Sequence, residues 1–373
     1  MMNKIDKLFR KEIEDIPPYI SGKPIEEVQR ALGLKRVIKL ASNENPLGPS
    51  PKAVAAIKKN LKNINRYPDA AVWRLKAKIA KTINVNIDNI ICGNGSDEVI
   101  ILAMKAFVNK ADGVIIAKPT FLIYQMAARV AEADIKLIPL TKDLKYDLKA
   151  MKKAITDKTR MIFIANPDNP AGTYVTKKEL EEFLEDLPND IIVYLDEAYF
   201  EFANHSFKDY PNGMDYLDKP NLIVTRSFSK IYGLAGLRAG YGVTSKRIVS
   251  YLDRFREPFN VNLLAQAAAC AALDDKEFVK KTLKTVEKEK RFLYDSFDRM
   301  GLKYVNTATN FMMVDVEMDC AKIFERLIRR GVIVRDMKAW GFDNFIRVTV
   351  GTHEENAIFL DALKKVLTRK FQS

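Results

Sequence analysis

The chain has 373 residues, 47% of them hydrophobic and 29% charged, a composition typical of soluble globular proteins. No apolar run reaches the roughly 18 residues of a transmembrane helix, and the charged N-terminus lacks the apolar segment of a signal peptide. The net charge of +13 would suit a nucleic-acid-binding protein, but the lysines are interleaved with glutamates, as in KKELEEF (177–183), which favours solvated helix faces.

Short apolar runs and helical patterns alternate between about residues 50 and 255. Apolar residues at helical spacing predict helices over AVWRLKAKIAKTI (71–83) and KKELEEFLEDL (177–187). Strands that alternate with helices favour a parallel sheet covered on both faces. The predicted strands are NIIC (89–92), GVIIA (113–117), RMIFIA (160–165), IIVYLDEA (191–198) and NLIVTRS (221–227).

The pattern changes after Pro258. Helical spacing extends over about residues 262–299, interrupted by the polar DDK, and two apolar runs then flank the predicted helix CAKIFERLIRR (320–330). These runs are FMMVDV (311–316) and FIRVTV (345–350), so we expect a smaller α+β domain. The predicted division is an N-terminal arm that packs with the small domain (1–40), a large domain (41–258) and a small C-terminal domain (259–373).

The three cysteines, Cys92, Cys270 and Cys320, lie far apart in the sequence. Their odd number and wide spacing fit neither a disulfide framework nor a zinc site, so no metal is predicted. Free thiols of this kind favour a reducing compartment, and we therefore expect a cytoplasmic protein.

A single lysine, Lys230, lies among serines and glycines in TRSFSKIYGLAGLRAGYG (225–242). It follows the predicted strand NLIVTRS, which places it at the carboxyl end of a parallel strand, where open α/β sheets bind ligands. Burial and neighbouring cations lower the pKa of a lysine and make its amine a nucleophile for carbonyl carbon. Schiff-base chemistry with pyridoxal phosphate needs such a lysine, together with a carboxylate for the pyridine nitrogen and a phosphate cradle.

The candidate carboxylate is Asp196, at the end of the apolar strand IIVYLDEA. A buried acid is costly unless it meets a positive partner. An alternative is a magnesium-binding acid of a nucleotide-hydrolysing enzyme, but this requires a G-x-x-x-x-G-K-[ST] loop, which the sequence lacks. We therefore favour a role on the pyridine nitrogen.

The candidate phosphate cradle is CGNGSDEVI (92–100), where a strand and a glycine turn lead into Ser96 and Asp97 at the start of a helix. Free backbone N–H groups at a helix start bind anions, and Arg238 would add a fixed cation. The segment is not a dinucleotide fingerprint, since the third glycine would fall on Glu98. Serine and aspartate at a helix start are also ordinary caps, so the pattern leaves both interpretations open.

Two further groups point to the oxygen of a phenol-like ring. Asparagines of ANPDNPAGTY (165–174), at the end of another predicted strand, can donate to such an oxygen, although Asn-Pro steps also form plain turns. Tyr199, three residues after Asp196, offers a second donor to the same oxygen.

Together these segments resemble the fold-type-I pyridoxal-phosphate aminotransferases, from about residue 17 to the end of the chain. The general motifs are GNGSDE (93–98), NPDNPAGT (166–173), DEAYFEF (196–202) and SFSKIYGLAGLRAGY (227–241). Within that family, the more selective segments are similar to histidinol-phosphate aminotransferases. They are PPYISGKPIEEVQRALGL (17–34), KLASNENPLGPSPKA (39–53) and NRYPD (65–69).

The resemblance implies an α/β fold in which a large domain holds a mainly parallel seven-stranded sheet between helices, beside a smaller α+β domain. It also implies a homodimer with shared active sites and pyridoxal 5'-phosphate as cofactor. Lys230 would form the Schiff base and then move the proton, and Asp196 would pair with the protonated pyridine nitrogen. Asn169 and Tyr199 would bind the phenolic oxygen, which makes Tyr199 a catalytic candidate with Lys230 and Asp196.

The resemblance also implies the remaining contacts. Phe121, in KPTFLIY (118–124), matches the position whose ring stacks on the pyridine, where some members have tyrosine. Tyr67 is expected to reach the phosphate of the neighbouring subunit's cofactor. The residues implied around the phosphate are Gly95, Ser96, Asp97, Ser227, Ser229 and Arg238.

Substrate anions call for arginine, whose planar fork pairs with carboxylate or phosphate. Arg347 and Arg335 each alternate with apolar residues in predicted strands, so they are either substrate ligands or solvated strand-face arginines. The resemblance favours the first interpretation for both and places Tyr19 near the substrate phosphate.

The implied activity exchanges an amino group between histidinol phosphate/imidazole-acetol phosphate and glutamate/2-oxoglutarate. Aromatic-amino-acid aminotransferases and threonine-phosphate decarboxylases share most of the cofactor motifs and are the alternatives. A catalytically silent regulator domain is a third possibility, disfavoured because such proteins carry an added DNA-binding module for which 373 residues leave no room.

Overall fold

β-Branched apolar runs form most of the strands in this protein. The computed structural model describes residues 8–10 and 22–368, and all elements below lie in those ranges. The strands are β1 (Ile38–Lys39), β2 (Ile90–Gly93), β3 (Gly113–Lys118), β4 (Asp134–Pro139), β5 (Thr159–Ala165), β6 (Ile192–Asp196), β7 (Leu222–Ser227), β8 (Gly240–Val243), β9 (Phe311–Asp315), β10 (Val332–Ile333), β11 (Arg335–Asp336) and β12 (Phe345–Thr349).

Seven strands form the central sheet, in the order β2-β8-β7-β6-β5-β3-β4. Only β8 runs antiparallel to its neighbours, β2 and β7, so the predicted mainly parallel seven-stranded sheet is confirmed. The five strands predicted from apolar runs all belong to it. Two were missed: β4 is an edge strand with alternating exposed residues, and β8 reads GYGV, in which glycines replace the apolar signal.

About half of the described helices begin at a side-chain N-cap. The helices are α1 (Ile25–Leu32), α2 (Pro51–Asn60), α3 (Trp73–Ile83), α4 (Ser96–Phe107), α5 (Leu122–Val130), α6 (Leu148–Lys153), α7 (Lys177–Glu185), α8 (Phe200–Ser206), α9 (Lys246–Leu252), α10 (Leu263–Ala272), α11 (Lys276–Arg299), α12 (Cys320–Ile328) and α13 (His353–Leu367). At α7, Thr176 and Glu179 form a reciprocal capping box. None of these helices in the described part of the chain is long and apolar enough to cross a membrane.

Apolar clusters cover both faces of the central sheet. One contains residues of β3, β5 and β6 with α4, α5 and α7, and another joins β2 and β8 to α2, α3 and α10. Helix α10 lies beyond the predicted boundary at residue 258 but packs on α2 and α3. The exact domain boundaries therefore stay a prediction.

A second core forms around the antiparallel sheet β11-β12-β9. Most of its buried residues come from β9 and β12 and from α11, α12 and α13, as expected for a small α+β unit. Strand β1 pairs in parallel with β10, with Ile38 opposite Val332. A segment from the first forty residues is thus part of this smaller unit.

A buried ion pair connects the carboxyl ends of β6 and β7. The Nε and Nη2 atoms of Arg226 donate to Glu197 Oε2 at 2.9 and 2.8 Å, and Gly213 N donates to Oε1 at 2.7 Å. The two charged side chains are 7% and 0% exposed. Glu197 directly follows Asp196 and Arg226 directly precedes Ser227, so the pair fixes the relative position of two predicted site residues.

Removing one partner of this pair should destabilise the fold strongly. Arg226→Leu would leave the Glu197 carboxylate buried without its cation, which should lower the free energy of unfolding by about 3–5 kcal/mol. The double variant with Glu197→Gln should recover part of the loss. Urea denaturation measures both. The exposed pair Lys365–Asp361 serves as a control, since Lys365→Leu should change stability by about 1 kcal/mol or less. A loss below about 1 kcal/mol for Arg226→Leu would contradict the assigned role.

Candidate active site

A cavity of about 240 Å³ opens at the carboxyl edge of the central sheet. Its wall comes from the residues that follow β3, β5, β6 and β7 and from the first turn of α4. Because parallel strands end at the same edge, short segments far apart in sequence meet here. Ten predicted cofactor residues line the cavity: Ser96, Asp97, Phe121, Asn169, Asp196, Tyr199, Ser227, Ser229, Lys230 and Arg238.

The Lys230 side chain reaches into this cavity. Burial, with a smaller contribution from the nearby positive charge of Arg347, lowers the pKa of its amine to about 8. Nζ donates to Ser42 O at 3.4 Å and lies 5.6 Å from the centre of the Tyr199 ring. A lysine with this pKa is partly unprotonated near neutral pH, so the amine can act as a nucleophile and a base.

The pKa of Asp196 is shifted upward, whereas that of Lys230 is shifted downward. Burial raises the pKa of its carboxyl to about 6, although hydrogen bonds oppose the shift. Tyr124 Oη donates to Oδ2 at 2.7 Å, and Ala198 N donates to Oδ1 at 3.0 Å. The carboxylate faces the cavity, and a positively charged ligand bound there would favour its ionised form.

The start of α4 and Arg238 form an anion site. Gly95 precedes the helix with φ of 83°, and a Cβ there would lie 2.5 Å from Arg238 Nη2, so only glycine fits. Arg238 Nη2 donates to Asp97 Oδ2 at 3.0 Å, and Nη1 donates to Ser229 Oγ at 3.5 Å. The first helical residue, Ser96, presents a free backbone N–H, and the helix dipole adds partial positive charge.

Arg347 connects the smaller unit to the cavity. Its Nη1 donates to Asn169 Oδ1, and its Nη2 donates to Ala41 O at 3.3 Å. The Tyr199 hydroxyl accepts a hydrogen bond from Asn43 Nδ2 at 2.9 Å, and burial raises its pKa to about 12 against the lowering effect of Arg347. Asn169 and Tyr199 thus face the cavity with partners that fix their orientation.

Arg335 and Tyr67, two further predicted site residues, do not line the cavity. Arg335 pairs in register with Arg347 across β11 and β12, and the two are only 8% and 7% exposed, which is inconsistent with solvated arginines. Tyr67 is 82% exposed and stacks on Phe259 with ring centres 4.6 Å apart. Tyr19 lies outside the described residues.

Among the residues missed from the sequence, Tyr124 and Asn43 form hydrogen bonds with predicted site residues. Tyr124, one helical turn after Phe121, packs edge-on against the Phe121 ring with centres 5.6 Å apart and donates to Asp196. Its position three residues after Phe121 in KPTFLIY was the feature of the sequence that could have indicated a place in the site. Asn43 adopts a positive φ of 55° and binds Tyr199, and its only signal was the polar cluster in KLASNENPLGPSPKA.

A buried lysine, a strand-end carboxylate and a helix-start anion site on a mainly parallel sheet define a transferase of the pyridoxal-phosphate type. Residues 35–363 match the family model described as aminotransferase class I and II. The chain belongs to this family.

Its curated relatives are similar over nearly the whole chain. It is 49% identical over 361 residues to histidinol-phosphate aminotransferase 2 of Carboxydothermus hydrogenoformans, covering 96% of this chain and 99% of that protein. It is 47% identical over 360 residues to the histidinol-phosphate aminotransferase of Moorella thermoacetica, covering 96% and 92%. The Sinorhizobium meliloti histidinol-phosphate aminotransferase, solved in complex with pyridoxal 5'-phosphate, superimposes with a TM-score of 0.88 at 26% identity, covering 97% and 98%. The resemblance predicted from the motifs is confirmed.

The raised pKa of Asp196 predicts a pH-dependent cost in the ligand-free protein. Folding raises the pKa from 3.8 to about 6, so the folded state binds the proton more tightly and loses stability as pH rises through this range. Asp196→Asn should therefore stabilise the ligand-free protein at pH 7.5 by up to about 3 kcal/mol, with little effect near pH 4. Urea unfolding across this pH range tests the prediction, with exposed Asp361→Asn as control. A stability difference that stays constant with pH would refute it.

Proposed function

We propose that this aminotransferase exchanges an amino group between L-histidinol phosphate and 2-oxoglutarate, giving imidazole-acetol phosphate and glutamate, a reaction of histidine biosynthesis. The observation that carries the proposal is the cavity that combines a lysine of lowered pKa with a buried carboxylate, Lys230 and Asp196. The substrate follows from relatives at 49% and 47% identity that bear this name. Aromatic-amino-acid transamination and threonine-phosphate decarboxylation would use the same cavity residues, but those relatives do not favour them.

The cavity residues fit pyridoxal 5'-phosphate. Asp196 is buried with a raised pKa, as expected of a carboxylate whose cationic partner arrives with the ligand. Gly95 leaves room beside Arg238 that a Cβ would fill, next to the anion-binding start of α4. When bound, this cofactor supplies the electron sink that makes the proton on the substrate's amine-bearing carbon removable.

We assign the catalytic roles as follows. Lys230 would hold the cofactor through Nζ and would move the proton at the substrate's amine-bearing carbon. Asp196 would stabilise a positive charge on the ring nitrogen, since that charge favours its own ionised form. Tyr199 and Asn169 would bind the phenolic oxygen, and Phe121 would lie against the ring.

The cofactor phosphate is assigned to the start of α4 and the turn that follows β7. Backbone N–H groups at the helix start and the fixed charge of Arg238 would bind it. Gly95 allows the close approach. The side chains assigned to the phosphate are Ser96, Asp97, Ser227, Ser229 and Arg238.

Single-turnover spectra with separate amino donors test the function. Histidinol phosphate should convert the cofactor absorbance far faster than phenylalanine, tyrosine or threonine phosphate. Lys230→Ala is the matched control, because it should retain the cofactor non-covalently and convert none of the donors. A faster reaction with phenylalanine, or release of carbon dioxide from threonine phosphate, would assign one of the alternative functions.

Arg347 should serve both half-reactions, because it lies beside the cavity and is bonded to Asn169. Arg347→Ala removes a bidentate charged contact and should cost about 2–4 kcal/mol, or roughly 30-fold to 1,000-fold in kcat/KM, with either donor. Arg335→Ala should impair histidinol phosphate at least as much as glutamate, and lysine at either position should rescue only partly. Half-reaction kinetics decide this, and unchanged efficiency of Arg347→Ala toward both donors would remove it from the site.

We propose a homodimer in which each subunit contributes to the partner's site. Exposed apolar side chains near Tyr67 favour such an interface: Tyr67 is stacked on Phe259, and Ile64, Phe255 and Leu61 are 65%, 47% and 48% exposed. Tyr67 is absent from the cavity wall of its own chain, consistent with an assignment to the neighbouring subunit's phosphate. Tyr19 is assigned to the substrate phosphate by resemblance alone.

Mixing two inactive variants tests the shared site. Tyr67→Phe and Lys230→Ala subunits, combined under conditions of subunit exchange, should form heterodimers in which one site contains both native residues. Activity should therefore rise on mixing above that of either variant alone. Heterodimers that form without regaining activity would contradict the proposal. Mixing each variant with itself under the same conditions is the control.

We also propose a cytoplasmic location. The three cysteines, Cys92, Cys270 and Cys320, are all free thiols in the described structure. Free thiols persist in a reducing compartment.

A further inference from the structure

Trp340 connects the two arginines to the cavity wall. It lies on the short 3-10 turn Lys338–Trp340, which links β11 to β12 and thus follows Arg335 closely in the chain. The centre of its ring lies 5.1 Å from Arg335 Cζ and 6.0 Å from Arg347 Cζ. Its indole N–H donates to Thr120 O at 3.1 Å, at the residue directly before Phe121.

The Trp340 ring lies near two arginines whose positive charges repel each other. Arg335 and Arg347 are directly opposite each other in the antiparallel pair and are both buried, and like charges in that arrangement repel. An aromatic face within about 6 Å of a guanidinium attracts it through the ring quadrupole, more strongly where water is excluded. A single aromatic ring within this distance of both cations therefore offsets part of the repulsion and favours keeping the two arginines close together.

The hydrogen bond to Thr120 connects the ring to the wall of the active site. A second cavity, of about 330 Å³, is lined by the Trp340 ring and by residues 116–122 and 125. Phe121 lines both this cavity and the candidate active site. The ring also packs against the apolar cluster of Ala171, Met313 and Met337. The indole N–H bond connects the 338–341 segment to the wall that contains Phe121.

We propose that Trp340 is a positioning residue that holds Arg335 and Arg347 as a pair for a substrate phosphate. This inference rests on the proposed function. A phosphate group offers oxygens to both forks, whereas a carboxylate is satisfied by one bidentate fork. Trp340 therefore sets the preference of the site for the phosphate-bearing donor over glutamate, without contacting the reacting atoms.

Two substitutions separate the ring from its N–H group. Trp340→Leu removes both and should raise KM for histidinol phosphate about 10-fold to 30-fold, with KM for glutamate changed about three-fold or less and kcat retained. Trp340→Phe keeps an aromatic face and should raise KM less than Trp340→Leu. Equal losses with both donors, or a fall in kcat at unchanged KM, would show a general structural role and overturn the proposal.

Fluorescence gives a readout that needs no turnover. The chain has two tryptophans, and Trp73 is 62% exposed, so a Trp73→Phe background leaves Trp340 as the only indole. In the cofactor-loaded enzyme, inorganic phosphate should change the Trp340 emission saturably, and Arg335→Ala should weaken this binding. Emission that stays constant while phosphate inhibits competitively would overturn the proposal. A phosphate response without reaction of histidinol phosphate would support the role of Trp340 and refute the proposed substrate instead.

Discussion

The buried ion pair between Arg226 and Glu197, in which two guanidinium nitrogens donate to one carboxylate oxygen, is the constraint on which the site depends most. It joins two neighbouring strands one residue away from Asp196 and Ser227, where the backbone ladder also ends. A strand-end carboxylate and a strand-end serine can face the same ligand only if their strands stop at the same level. The pair holds the two strand ends at the same level. Because both side chains are buried, breaking the pair would leave a charged group without its partner.

Burial in the cavity changes the protonation of its two main ionisable groups, Lys230 and Asp196. Burial shifts both the lysine and the strand-end acid toward their neutral forms; Arg347 adds to the shift at Lys230, whereas hydrogen bonds from Tyr124 and Ala198 oppose it at Asp196. The anion site at the start of α4 lies at the same edge. A ligand with a cationic ring nitrogen and an anionic phosphate would satisfy these groups together, so its binding should stabilise the fold and charge Asp196.

Many residues of the site could be predicted from the sequence because they lie in short contiguous segments. Strand ends followed by polar turns pointed to Lys230, Asp196 and the start of α4, since the carboxyl ends of parallel strands converge, and the family resemblance implied the other predicted cavity residues. Contacts between distant segments could not be predicted in this way. The Asn43–Tyr199 and Tyr124–Asp196 hydrogen bonds join residues more than seventy positions apart in the sequence. The register of Arg335 against Arg347 could not be predicted either, because spacing along a strand does not reveal its opposite residue. Strand β8 gave no apolar signal, because its glycines leave space for the start of α4.

The pairing of β1 with β10 has a consequence for synthesis on the ribosome. All seven strands of the central sheet have emerged by Val243, whereas Ile38 finds its partner only at Val332, 294 residues after itself. At about 5–20 residues per second, this leaves the early strand waiting roughly 15 to 60 s. The smaller unit is therefore expected to close last, with its N-terminal portion exposed to chaperones throughout translation.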